Sequence, residues 1–251
     1  NRRSIKLILD EIVFLKDRYG IKEVFFDDAI FTIPRAKEIA KGIIDNRIKI
    51  AWSCWMDWNI SLEDLEFLKK SGCVGVKFGV ESASPEILDS ARKPVNLEKV
   101  KNLVNNCRKL GLFCSGAFMF GLPGETRATL EKTINLIFSL NITSCQLSIA
   151  TPLPGTQFFK IAQENNWLLT LDWSKYDCHY TSVVEYPECR KEDIESAIAT
   201  ARMRKVKQVL KNPLVAGAYI FKMWKLKGFK GMLGEATKKS SFIIKGIFNK
   251  R

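Results

Sequence analysis

Five short clusters hold most of the chemistry available to this chain: Asp27-Asp28, Ser53-Cys54, Glu81-Ser82, Gly121-Leu122-Pro123-Gly124-Glu125, and Thr151-Pro152-Leu153-Pro154-Gly155-Thr156. Carboxylates accept hydrogen bonds from amines and hydroxyls. A turn with two glycines around a proline lets backbone approach a ligand while fixing the corner. Each cluster follows a run of apolar or glycine residues short enough to be a buried strand. A lone acidic residue after a strand also serves as an ordinary turn or cap residue, and a glycine-rich corner as a tight turn with no ligand. Five strand ends in succession carrying polar groups make an active edge the better reading, because α/β sheets and barrels hold ligands at the carboxyl ends of their strands.

The elements that must position these clusters follow from periodicity. Apolar spacing predicts a helix over Ser4 to Tyr19, stopped by Gly20, then a strand over Lys22 to Phe26. Pro34 opens a helix, Ile48 to Cys54 is a strand, and Ser61 begins a capping box for the next helix. Val74 to Val80 is a strand, Ser84-Pro85 starts a short helix, and Asn96 caps a longer one that Gly111 closes. Gly116 to Phe120 runs as a strand into the glycine corner, Thr126 caps the following helix, and Thr143 to Ala150 is a further strand. Strands alternating with helices imply parallel pairing through right-handed crossovers. The alternation fades after about Asn166. Residues past Leu168 read as loop, then helix over Glu192 to Leu210, then a basic tail.

Composition narrows the function. With one histidine, His179, a histidine-rich metal site or a charge-relay pair has a single candidate. The seven cysteines show no metal-binding spacing, and several lie in apolar strands, which fits reduced thiols and a cytoplasmic setting. No apolar run approaches a membrane span. The net charge of +13 concentrates in Asn212 to Arg251, where eight Lys and one Arg face one Glu. That tail reads as basic helix, with a peripheral contact to a membrane surface or an acidic partner as an alternative to a solvated face. Its aromatics do not alternate with charge as a nucleic-acid platform requires, so no nucleic acid is expected.

Taken together, VFFDDAIF, IAWSC, FGVESASPEILDSARK, FMFGLPGET, SIATPLPGT and DWSKYD resemble, in order, the radical S-adenosylmethionine (SAM) superfamily, and in particular its cobalamin-associated branch. The resemblance covers Ser4 to Asp177. It implies a partial (β/α)6 TIM-like barrel with a parallel sheet: a core over residues 1–168, whose first strand lies upstream, and a helical, basic C-terminal extension over residues 169–251. It implies SAM beside a [4Fe–4S] cluster, an electron donor, and a 5′-deoxyadenosyl radical used for methyl transfer or another modification of a small-molecule or lipid-like substrate. The cluster's C-x-x-x-C-x-x-C loop would precede Asn1, and a cobalamin domain would also lie upstream, so the fragment alone is expected to be inactive. By resemblance, Phe26, Asp27 and Asp28 face the methionine amino group, with Ser53 on the next strand end. Glu81 meets the ribose or amino group, and Lys93 pairs with the methionine carboxylate. Gly121, Pro123 and Glu125, with Ala150, Pro152 and Gly155, lie along the adenosine. A different class of reading is a non-catalytic, anion-binding α/β barrel in which Gly121 to Gly124 cradles the anion.

Overall fold

Five parallel strands lie side by side in the order in which the chain makes them, β1 (Glu23–Phe26), β2 (Ala51–Trp55), β3 (Cys73–Glu81), β4 (Phe113–Phe120) and β5 (Ser144–Ile149). The computed structural model describes residues 3–28 and 31–211. Each crossover contains helix: α1 (Ile5–Tyr19) precedes β1, then α2 (Ile33–Asp45), α3 (Leu62–Lys70), α4 (Pro85–Ser90) with α5 (Leu97–Leu110), and α6 (Arg127–Ser139) join the strands, and α7 (Gln157–Glu164) follows β5. The parallel pairing is that expected from the alternation of strand and helix, and the partial barrel is that implied by the family resemblance.

Local chemistry sets these boundaries. Side-chain oxygens of Ser4, Thr32, Ser61, Asn96, Thr126 and Thr156 each accept a backbone N–H at a helix start. Gly20 and Gly111 end α1 and α5 in the left-handed region. Trp52, Cys54, Val76, Phe78, Cys114 and Phe118 are buried on one face of the sheet, and with Ile39, Leu65, Leu68 and Leu103 of the helices they form the core. The opposite face carries Phe25, Ser53, Trp55, Lys77, Gly79, Ala117 and Met119, none of them fully buried.

Residues 169–197 contain a short 3₁₀ turn (Trp173–Lys175), isolated bridges between Leu168 and Val184 and between Tyr186 and Cys189, and the start of α8 (Lys191–Leu210). They belong to the same compact unit as the strands, Asn1–Ala197. Hydrogen bonds join them to it: Ile149 N–H donates to Cys178 O at 2.8 Å, and the Tyr186 hydroxyl donates to Gly121 O at 2.7 Å. A second unit begins at Ile198. The expectation that Asn212 to Arg251 forms basic helix lies outside the described residues. Among the described residues no helix is long and apolar enough to cross a membrane.

Candidate active-site rim

The carboxyl end of β3 departs most sharply from ordinary strand geometry. Glu81 ends the strand with φ at +64°, in the left-handed region, although it is not glycine. A side chain there costs about 1–2 kcal/mol in local strain. Its carboxylate turns back over Gly79 and bonds the ammonium of Lys93. A Cβ on Gly79 would lie 2.7 Å from Glu81 Oε1 and 3.2 Å from Lys93 Nζ, so a glycine there leaves room for the pair. The Glu81 side chain is only 9% exposed and that of Lys93 is 53% exposed, so the cation stays open to a ligand.

Thr133, on the buried side of α6, fixes the turn that follows. Its Oγ1 accepts Ala83 N–H at 3.0 Å and shares a 3.3 Å hydrogen bond with Ser82 Oγ, which in turn accepts Ser84 N–H at 3.2 Å. Thr133→Val keeps the shape and removes the acceptor from a half-buried N–H. We expect a loss of about 1–3 kcal/mol in urea unfolding. Unchanged stability would show that this contact does not hold the turn.

Helix α4 joins this corner to the next two. Ser90 Oγ donates to Pro123 O at 2.9 Å. Ile87, Leu122 and Ala150 form one buried cluster, with Ala91, Met119 and Phe158 packed against it half-buried. Glu81 and Lys93, which flank α4 in the chain, the Gly121 to Gly124 turn and the end of β5 are therefore brought together at one rim. Gly121 and Gly124 both have φ above +80°. The turn is further held by Glu125, whose Oε2 accepts the N–H groups of Gly121 and Leu122. The carboxyl group is 1% exposed, its Oε1 has no hydrogen-bond partner among the described residues, and burial pushes its pKa up to about 8. Glu125 thus shapes the turn from inside and does not face outward. Burial likewise pushes the Tyr186 hydroxyl up, which keeps it a donor to Gly121 O.

The other expected residues are placed differently. Phe26 stacks on Phe31 at 5.3 Å and meets Trp52 edge-on at 5.7 Å, on the core side of β1. Asp27 Oδ1 accepts Trp55 Nε1–H at 3.1 Å, and exposed Asp28 follows it, two strands away from Glu81. Ser53 sits in register with Phe25 and Gly75, below the rim. Pro152 is buried beyond Ala150, and Gly155 is exposed at φ +83°. Sequence reasoning missed Thr133, Ser90 and Tyr186, which orient the rim. It also missed Lys77, although a lysine inside an otherwise uncharged strand run, VGVKFGV, is a visible signal.

SAM presents a carboxylate, an amine, a ribose diol and an adenine. Lys93, the Glu81 carboxylate and the half-buried apolar surface of Met119 and Phe158 match those groups in kind. An iron–sulfur cluster does not fit here. Among the described residues no group of three or more His, Cys, Asp or Glu could hold a metal, and five of the seven cysteines are buried. Burial pushes Cys54 and Cys73 up, the latter to about 11, so these are unreactive core thiols. Two shallow hollows lie at the opposite, amino edge of the sheet. One is lined by Val74, Phe113 and Asn141, the other by Lys101, Arg108 and Asn141, and neither holds a residue of the five clusters at the carboxyl ends.

The sequence matches the Radical SAM superfamily over residues 1–137. It is 38% identical over 69% of its length to an uncharacterized methyltransferase of Pyrococcus horikoshii, covering 38% of that protein. It is 30% identical over 71% of its length to the bacteriochlorophyllide d C-12(1)-methyltransferase of Chlorobaculum tepidum, covering 40% of it. The chain therefore spans about two fifths of the curated relatives it matches. In fold it resembles the radical SAM methyltransferase TsrM of Kitasatospora setae, solved with cobalamin and a [4Fe–4S] cluster, with TM-score 0.59 and 24% identity over 68% of this chain and 36% of that one. A family match over more than half of the sequence, on a sheet whose strand ends meet at one rim, places the chain in the radical SAM superfamily.

Proposed function

We propose that this chain is the SAM-binding core of a longer, cobalamin-linked radical SAM methyltransferase, with residues 1–168 as the core and residues 169–251 as its extension. One observation carries the reading. Glu81 is held in a strained, left-handed conformation with its carboxylate over Gly79 and against Lys93, at the carboxyl edge of the central strand. Backbone strain that the surroundings hold in place is a mark of functional sites. The methyltransferases of Pyrococcus horikoshii and Chlorobaculum tepidum support methyl transfer as the reaction class.

In this reading Lys93 binds the methionine carboxylate, and Glu81 accepts from the amino group or the ribose while steering the lysine. The Gly121 to Gly124 turn and Ala150 border the adenosine. Glu125 and Tyr186 keep the turn in place from behind. SAM, with a cluster whose ligands are supplied outside the described residues, provides the radical and methyl chemistry, and an external donor provides electrons. The residues described here bind, orient and exclude water.

The test uses the full-length protein with its cluster reconstituted, under reductant. SAM cleavage is expected in the parent protein, with a loss of about thirtyfold or more in Lys93→Ala at unchanged iron content. A parent protein with a full cluster that leaves SAM intact would overturn the proposal.

A further inference from the structure

One charged side chain on the open face of the sheet has no part in the rim. Lys77 sits in the middle of β3, and its backbone is fixed by ladder pairing with Trp55 and Ser115 and by a 2.7 Å bond from Met56 N–H to its carbonyl. Its ammonium lies 4.7 Å from the centroid of Phe25 and 5.5 Å from that of Trp55. Among the described residues no carboxylate is ion-paired with it. Asp27, at the end of β1, is bonded to the indole N–H of Trp55, and the Glu81 carboxylate over Gly79 is bonded to Lys93.

The surroundings form a trough. In a parallel sheet, residues in register point to the same side, so Trp55, Lys77 and Ser115 make one row and Phe25, Ser53, Gly75 and Phe113 make the next. Lys77 is the centre of the first row, and the small residues Ser53 and Gly75 fill the centre of the second. The aromatic residues at the ends of the second stay open to solvent, Phe25 at 41% and Phe113 at 44%. Lys77 lies two residues below Gly79, over which the Glu81–Lys93 pair sits. That is about 7 Å deeper along the strand than the rim.

We propose that this trough is the substrate-binding surface, and that it accepts a flat, apolar molecule bearing an anionic group, with the anion on Lys77 and the flat body against Phe25 and Trp55. The chemistry follows from the residues. A half-buried ammonium flanked by two ring faces and lacking a carboxylate partner gains most from an incoming anion, because the rings shield that pair from water. Aromatic rings left partly exposed, with the small Ser53 and Gly75 in the neighbouring row, suit a planar body. The proposal rests on the reading that the rim above holds SAM, since that places the trough beside the reacting methyl group.

The experiment titrates full-length protein with naphthoate, its neutral amide and its aminomethyl cation as probes, and with S-adenosylhomocysteine in parallel. Naphthoate is expected to bind about tenfold more tightly than naphthamide, and the cation not at all. Lys77→Met should erase the preference for the acid and Lys77→Arg should retain it, both with parental affinity for S-adenosylhomocysteine. Equal binding of acid and amide, no binding of either, or a preference that survives Lys77→Met would overturn the trough proposal. Loss of S-adenosylhomocysteine binding in the parent protein would instead strike the rim reading.

Discussion

Replacing Glu81 with Asn is expected to abolish most SAM affinity while leaving the fold as stable as before. Asn tolerates the left-handed conformation better than Glu, which recovers part of the roughly 1–2 kcal/mol held at φ +64°. It also gives up the contact with Lys93, whose side chain is half exposed, so that loss is small. The two effects nearly cancel, and unfolding in urea should shift by no more than about 1 kcal/mol. SAM loses a charged acceptor and the residue that steers its lysine. The expected drop in affinity is about thirtyfold to a hundredfold, read by titration calorimetry. A residue kept for structure alone would give the reverse pattern, with lost stability and unchanged SAM binding.

Stability should fall as pH rises from about 4.5 to 8, and Glu125→Gln should flatten that slope. The Glu125 carboxyl is buried, and burial raises its pKa from 4.5 to about 8 despite the N–H groups of Gly121 and Leu122. Below about pH 4.5 the folded and unfolded chains both hold the proton, and the full stabilisation is present. Between there and about 8 the unfolded chain has released its proton while the folded chain keeps it, so each pH unit costs about 1.4 kcal/mol. Above about 8 both are ionised and the loss levels off, at a few kcal/mol in total. Gln retains an acceptor for the two N–H groups and has no proton to lose. Urea midpoints across this range should converge at the acid end, with the variant the more stable at the alkaline end. Parallel curves for the two proteins would show that Glu125 does not titrate in this window.

The strands and helices were legible because each shows its own local signal. Thr126 caps, Gly111 stops and Pro34 starts helices in sequence as they do in space. The roles given to Glu81, Lys93 and the glycine turn came through the family resemblance, not from spacing alone. What stayed hidden was long-range. The sequence of α6 does not say that Thr133 reaches back to Ala83, fifty residues earlier. Nor does it say that Tyr186 caps the Gly121 carbonyl from a segment read as loop. Helix α7 follows a proline-rich turn, and its eight residues are too short for periodicity to identify. The family resemblance set Glu125 along the adenosine, and its inward fold onto the N–H groups of Gly121 and Leu122 is visible only in three dimensions.

The most direct measurement is a crystal structure of the full-length protein grown with SAM. Ligand density along the carboxyl rim is the expected result, with the methionine carboxylate within hydrogen-bond reach of Lys93, an amine or hydroxyl on Glu81, and the adenosine beside the Gly121 to Gly124 turn and Ala150. SAM bound at the amino edge near Arg108 and Asn141, or at the rim with no contact to Glu81 or Lys93, would contradict it.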